Sequence, residues 1–280
     1  MRTSKSTPSF LHFVEKLSIS MMVSWKQHKE ITFFKDIKGF TLKVMVKHLL
    51  SIEPEEPLAL KILQDFETFM RGFVSLPIYI PGTAYVNAVK DVGFTRGDFL
   101  DVILSKRSLN DEEIVCIVSD IMLGGYETTA TLLALLIYFL GHAPNVFQKL
   151  KEEHEAIRKR KEDGELMNWE DYEMEFTSKV IYESMRCGIV VKFVHRRALK
   201  DVQYKGYFIP AGWKVLPVCT GVHLDPSRHE NRTEFNPCRW TDKASYKKVM
   251  PFGGGPLLCP GPGLAKVEIS FFLHHLVLNY

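Results

Sequence analysis

Pro251-Phe252-Gly253-Gly254-Gly255-Pro256-Leu257-Leu258-Cys259-Pro260-Gly261 is the stretch on which the reading of this 280-residue chain turns. It sets one cysteine in a loop of glycines and prolines, directly ahead of an apolar stretch with helical spacing. Glycines let a backbone approach a flat ligand with no Cβ in the way. The prolines and the Phe252 ring stiffen the loop, and the helix that follows turns its positive end toward the sulfur. That setting suits a thiolate that must reach an iron atom. The plainer alternative is a glycine-rich turn around an ordinary buried cysteine.

The bulk numbers bound the answer. A composition 46% hydrophobic and 12% aromatic is that of a folded globular protein, large enough to bury a sizeable core as one large domain or two modest ones. Net charge is only +3, which argues against a nucleic-acid partner, since that wants a denser basic patch. The five cysteines, Cys116, Cys187, Cys219, Cys238 and Cys259, are scattered and odd in number, so a zinc ribbon or disulfide scaffold is not expected. A reducing, cytosol-facing setting fits them better. The polar start, Met1 to Pro8, shows neither a secretory signal nor a membrane anchor. Its Arg, Ser and Thr content leaves a transit peptide open, but a lead into a helix is preferred.

Spacing predicts helices over Phe10–Gln27, Phe34–Leu50 and Leu58–Phe73. Residues 74–82 form an apolar, proline-broken connector that is either buried or a membrane-facing or substrate-gating loop. Asn110 is the expected N-cap of a long helix from Asp111 to Leu140, apolar on most sides and so central and buried. Asp120 and Glu127 argue against a bilayer span. Residues 145–163 read as a charged amphipathic helix and Thr177–Cys187 as another. Short strands follow at Val202–Tyr204, Tyr207–Ile209 and Trp213–Val218 around glycine turns. Residues 219–250 read as mostly coil. In the last helix Ala265, Ile269, Phe272 and Leu276 share one face.

Two further patterns carry chemistry. Gly124-Gly125-Tyr126-Glu127-Thr128-Thr129 puts two glycines inside the long helix, at a cost of about 2 kcal/mol against alanine. Close helix packing explains them; so does a flat ligand pressed on the helix. Thr128 can bond back to the Gly124 carbonyl and open the helix, and a carboxylate beside hydroxyls can relay protons. Glu183 and Arg186 stand three apart on one face of a largely apolar helix, where a buried pair needs further partners.

The cysteine loop resembles the haem-binding loop of the cytochromes P-450, Phe-x-x-Gly-x-Arg-x-Cys-x-Gly, through Phe252, Gly255, Cys259 and Gly261. Gly124-Gly125-Tyr126-Glu127-Thr128-Thr129 is similar to that family's oxygen-activation motif. Glu183 and Arg186, with Arg239 from Phe235-Asn236-Pro237-Cys238-Arg239, resemble its Glu-x-x-Arg and Phe-x-Pro-x-Arg segments. The resemblance implies a mainly α fold with a small β region, the cytochrome P-450 fold, and runs over nearly the whole chain. Finer stretches, including Lys192-Phe193-Val194-His195-Arg196 and Phe272-Leu273-His274-His275-Leu276, are similar to plant steroid C-22 hydroxylases of brassinosteroid synthesis.

What the resemblance implies is a monooxygenase that inserts one oxygen atom from O2 into a C–H bond of a steroid. Haem b (iron protoporphyrin IX) would be held by Cys259 as axial ligand. Phe252, Gly253, Gly255 and Gly261 would shape the loop, Gly124 and Gly125 the helix above the porphyrin, and Arg196 would meet a haem propionate. Thr128 and Glu127 would serve proton delivery, while Glu183, Arg186 and Arg239 form a structural clamp. Electrons would come from NADPH through a partner reductase, with Lys243, Lys247 and Lys248 as a candidate docking patch. The family sits on the cytosolic face of the endoplasmic reticulum membrane.

The sequence also departs from the family. Leu257 stands where the propionate-binding arginine is expected, a loss of about 1.5–3 kcal/mol. Gly263 replaces an acid at the start of the last helix. The chain is shorter than the family: the anchor, first helices and final strands are expected to be missing, and helix is expected to be lost between Lys90 and Arg96. A non-catalytic remnant with weak or no haem binding, and a helical interaction module, are the rival readings.

Overall fold

The computed structural model describes residues 8–73, 103, 109–162, 164–172 and 174–280. The expectations for residues 74–82 and for Lys90 to Arg96 lie outside them. The described residues fall into two compact units, one ending at Ala130 and the other beginning at Thr131.

The first unit is helical. It holds α1 (Pro8–Lys26), α2 (Phe33–Leu50), α3 (Pro57–Phe73) and the first part of α4 (Asp111–His142). The Trp25 indole donates to Asp36 at 2.8 Å and ties the end of α1 to the start of α2. α2 buries Ile37, Phe40, Leu42, Val44, Met45 and Val46. It stops at Ser51, which takes a left-handed conformation and returns its amide to the Lys47 carbonyl. α4 starts with a capping box: the Glu113 amide donates to the Asn110 side chain, and the Asn110 amide to the Glu113 carboxylate, both at 2.9 Å.

The long helix corrects one expectation. α4 is unbroken over 32 residues and is buried along a stripe, Val118, Met122, Tyr126, Leu133, Leu136 and Leu140, not all round. Gly124, Thr128 and Tyr138 lie exposed on it. Its apolar composition therefore overstated its burial.

The second unit contains the end of α4, α5 (Pro144–Arg158), α6 (Glu175–Gly188), two small antiparallel sheets, the short α7 (Thr220–His223) and α8 (Pro262–Asn279). In the first sheet β1 (Arg196–Arg197) pairs with β4 (Lys214–Val215), Arg196 opposite Val215. The second is a hairpin of β2 (Val202–Tyr204) and β3 (Tyr207–Ile209), with Tyr204 opposite Tyr207. Lys205 and Gly206 both take positive φ at its turn, the backbone that matches strand twist in a two-residue hairpin. The expected Trp213–Val218 strand shrinks to two residues, with Val218 in an isolated bridge to Phe193.

Residues 219–250 are irregular over just more than half their length, as the sequence suggests, but they are not featureless. They hold α7 and 3-10 turns at Pro237–Thr241 and Lys243–Lys248, each begun by a side-chain cap from Asn236 or Asp242. Nor is α8 one-faced: every residue from Val267 to His274 is buried. It packs between α5 and α6 as the central helix of this unit.

Candidate functional site

The cysteine loop folds back on itself through backbone bonds. The Cys259 amide donates to the Phe252 carbonyl at 2.9 Å, Gly253 to Met250 at 3.1 Å, and Leu258 to Gly255 at 3.2 Å. Gly253 and Gly255 adopt φ of 76° and 70°, the left-handed region that glycine enters without strain. The Cys259 thiol is free and partly exposed. Leu257 and Leu258 flank it with side chains turned outward, Leu257 at 65% exposure. α8 begins at Pro262 with Gly261 as N-cap, no side-chain cap and no acid in its first turn. Its positive end, three residues from the sulfur, thus meets neither a side-chain cap nor an acid of its own first turn.

This donor set fits a haem iron. A soft sulfur lies in a glycine-opened loop, bordered by apolar surface and a helix N-terminus. The propionate side is thinner. Arg196 is exposed on β1, with its guanidinium on the His195 carbonyl at 2.8 Å. Leu257 offers no charge.

Behind the loop lies a buried ion cluster. Glu183 and Arg186 on α6 are wholly buried and joined twice, Nε and Nη2 of the arginine donating at 2.9 and 2.8 Å. Glu183 also accepts from the Trp240 indole at 3.0 Å, the Asn236 amide at 3.0 Å and Arg239 at 3.4 Å. Arg186 donates onward to the carbonyls of Arg232 at 2.7 Å, Glu234 at 3.0 Å and His223 at 3.3 Å. Burial works against the guanidinium charge, and Glu183 more than offsets it, so the Arg186 pKa rises. The neighbouring Cys187 thiol is pushed up to about 12, by burial first and then by Glu183. His223 links this cluster to the cysteine loop: its Nε2 accepts from the Met250 amide at 3.2 Å, and the Met250 carbonyl holds Gly253.

The motif on α4 lies in the first unit. The Thr128 hydroxyl donates to the Gly124 carbonyl at 2.5 Å, as the spacing predicts, yet the helix is not opened. Gly125 has a packing reason. A Cβ there would fall 2.2 Å from the Met45 sulfur. Around Gly124 there is open space. Glu127 is held by Lys38 of α2 at 2.8 Å, and that ammonium also lies 4.7 Å from the Phe34 ring centroid.

Sequence reasoning missed several of these residues. Lys38 lies 89 residues from Glu127, and no local pattern joins them. His223 and Trp240 lie in the stretch read as coil. A third group was missed altogether. His154 on α5 and His274 on α8 meet Nδ1 to Nδ1 at 3.1 Å, both buried. The Thr177 hydroxyl donates to Glu153 at 2.6 Å, so it accepts from His154 Nε2 at 3.2 Å. His154 Nδ1 then accepts from His274, and both rings are neutral. Burial lowers their pKa values to about 3 and about 2. Glu268 on α8 is buried without a partner for Oε2, and burial raises its pKa well above the carboxylate range.

Comparison with known proteins gives the following. A family profile described as Cytochrome P450 matches residues 4–280. Cytochrome P450 724B1 of Oryza sativa subsp. japonica is 48% identical over 306 residues, covering 99% of this chain and 64% of its own length. Cholesterol 22-monohydroxylase CYP90B51 of Trigonella foenum-graecum is 40% identical, covering 95% and 62%. A Steroid (22S)-hydroxylase of Oryza sativa subsp. japonica is 38% identical, covering 95% and 59%. The chain thus spans less than two thirds of the length of these relatives. Among solved structures, the cytochrome P450DA heme domain superposes with a TM-score of 0.79 at 18% identity, over 98% of this chain and 67% of that one. That likeness concerns the fold.

Proposed function

This chain belongs to the cytochrome P450 family, and on that premise we propose that it serves a haem-thiolate monooxygenase acting on a sterol, at C-22, in brassinosteroid synthesis. The observation that carries the reading is Cys259, its thiol in no disulfide and its backbone amide donating to the Phe252 carbonyl, ahead of an uncapped helix. The sterol follows from the relatives, whose names specify cholesterol and steroid 22-hydroxylation.

Haem b, when bound, supplies oxygen activation with electrons drawn from NADPH through a reductase. The chain's own residues do the rest. Cys259 would present its sulfur to the iron from the loop ahead of α8. Gly253, Gly255 and Gly261 let that loop's backbone approach a flat ligand, and the Phe252 carbonyl holds the Cys259 amide. Arg196 donates to a propionate. Gly124, having open space where a Cβ would stand, offers a flat helix surface. Thr128 carries an exchangeable proton on that helix, beside the Glu127 carboxylate that Lys38 holds. Glu183, Arg186 and Arg239 fix the loop's support through His223. Lys243, Lys247 and Lys248, all exposed, suit an acidic reductase surface. Attachment of the longer protein to the endoplasmic reticulum membrane belongs to the same proposal.

The uncharged, exposed Leu257 favours a second reading, a non-catalytic form with weakened haem retention. The reduced, carbon-monoxide-bound spectrum separates the two. A thiolate-type red-shifted Soret band, lost in Cys259→Ser, supports the first. Absence of bound haem that Leu257→Arg restores supports the second, since one charge-assisted bond of about 1.5–3 kcal/mol is worth roughly one to two powers of ten in retention. Pigment binding and a spectrum unchanged by Cys259→Ser would refute both.

A further inference from the structure

We propose that Lys266 is a positioning residue for the Cys259 loop, its ammonium clasping the Phe252 ring to Tyr182 of α6. The inference rests on the haem reading and deepens it, since Phe252 belongs to that loop. Lys266 stands in the second turn of α8. Its Nζ donates to the Tyr182 hydroxyl at 2.9 Å and lies 4.4 Å from the centroid of the same ring. The Phe252 ring centroid is 5.9 Å from that nitrogen, inside the range of about 6 Å over which a cation is drawn to an aromatic face. One charge thus attracts two rings, one on the cysteine loop and one on the helix that carries Glu183 and Arg186.

The plainer account, a lysine reaching into water, does not suit the position. Lys266 is partly buried, and it has no ion pair among the described residues. It stands toward the N-terminal end of α8, where a cation gains nothing from the helix field. The rings and the hydroxyl are what hold the charge. Tyr182 is itself fixed: its ring meets Tyr246 edge-on at 4.6 Å and Trp240 at 5.6 Å, and the Trp240 indole donates to Glu183 at 3.0 Å. The clamp therefore reaches the cysteine by a second branch besides His223. It runs from Trp240 through Tyr182 and Lys266 to Phe252, whose carbonyl takes the Cys259 amide at 2.9 Å. The charge works by holding the ring, so a guanidinium at this position would serve and an uncharged chain of similar length would not.

The test compares Lys266→Met and Lys266→Arg in the 280-residue chain, first without haem. Hydrogen exchange of the Cys259 and Gly253 amides should quicken about fivefold in Lys266→Met and stay within about twofold in Lys266→Arg. Exchange of the Phe272 amide, deep in α8, should not change in either, which guards against a folding defect. The haem-loaded chain adds a spectroscopic signature. The red-shifted thiolate Soret band of its reduced, carbon-monoxide-bound form should decay about fivefold faster in Lys266→Met, and at the unsubstituted rate in Lys266→Arg. The exchange measurement needs no haem, so a chain that binds none would count against the monooxygenase reading while exchange alone still decides the clasp. Unchanged loop exchange in Lys266→Met, or no rescue by arginine, would overturn the proposal. So would slower reduction by the reductase at unchanged loop exchange, which would make Lys266 a docking charge.

Discussion

Mild acid should destabilise the second unit through His154 and His274, and the size of the effect follows from their burial. Both rings are neutral when folded, with pKa values near 3 and 2 against an unfolded value of 6.5. The charged groups facing them, Arg158, Lys161 and His275, all oppose protonation of His274. Between pH 6.5 and about 3 the unfolded chain binds protons that the folded chain refuses, so stability falls as pH falls through that window. Above 6.5 the contribution is complete. Each ring contributes about 1.4 kcal/mol per pH unit, so lowering pH from 7.5 to 5 costs about 2 kcal/mol per histidine and about 4 for the pair. That is a large share of a total stability of about 5–15 kcal/mol. Glu268 has the opposite sign. Burial raises its folded pKa, so its contribution is present below the unfolded carboxylate value and lost as pH rises through the folded one. His223, also lowered by burial, adds to the acid effect. The pair is isolated by difference. Urea unfolding followed by circular dichroism at pH 7.5, 6 and 5 compares the chain with His154→Leu/His274→Leu. The variant should be flatter by about 4 kcal/mol across the window. Equal slopes to within about 1 kcal/mol would refute the assignment of neutral, buried rings.

Three other outcomes are expected. Glu268→Met should raise stability at pH 7.5 by about 1–3 kcal/mol, because a buried carboxyl without a partner for Oε2 is removed, and by less at pH 4.5; parallel urea melts check it. Glu183→Ala strips Arg186, Trp240 and the Asn236 amide of their common acceptor and should cost about 3–5 kcal/mol, read from the same melts and from faster exchange of the Gly253 amide. Gly125→Ala should be nearly neutral, since about 1 kcal/mol of helix propensity offsets moving the flexible Met45 thioether, whereas Gly125→Val should cost about 1–3 kcal/mol in thermal unfolding.

What the sequence disclosed was whatever chemistry sits close together along the chain. The strands Val202–Tyr204 and Tyr207–Ile209 were readable to the residue because Lys205-Gly206 fixes the turn between them. The Asn110 cap was readable because its partner is Glu113, three positions on. The cysteine loop was readable because its glycines, its sulfur and the helix behind it are contiguous. By contrast, the residues that stabilise these pieces come from far away. Lys38 reaches Glu127 across 89 positions, and His154 reaches His274 across 120. No periodicity carries such information. Two failures were of another kind. α4 reads as apolar nearly all round yet is buried along one stripe, while α8 shows a tidy apolar face yet is buried on every side. Composition reports what a helix can bury; its neighbours decide what it does bury. In α8 a signal was available all the same. Glu268, set between Val267 and Ile269 just ahead of the apolar and histidine run Phe271–Leu278, is an acid that no solvent-facing helix needs at that position. An acid placed there must be neutral, paired or destabilising, and Glu268→Met tells which.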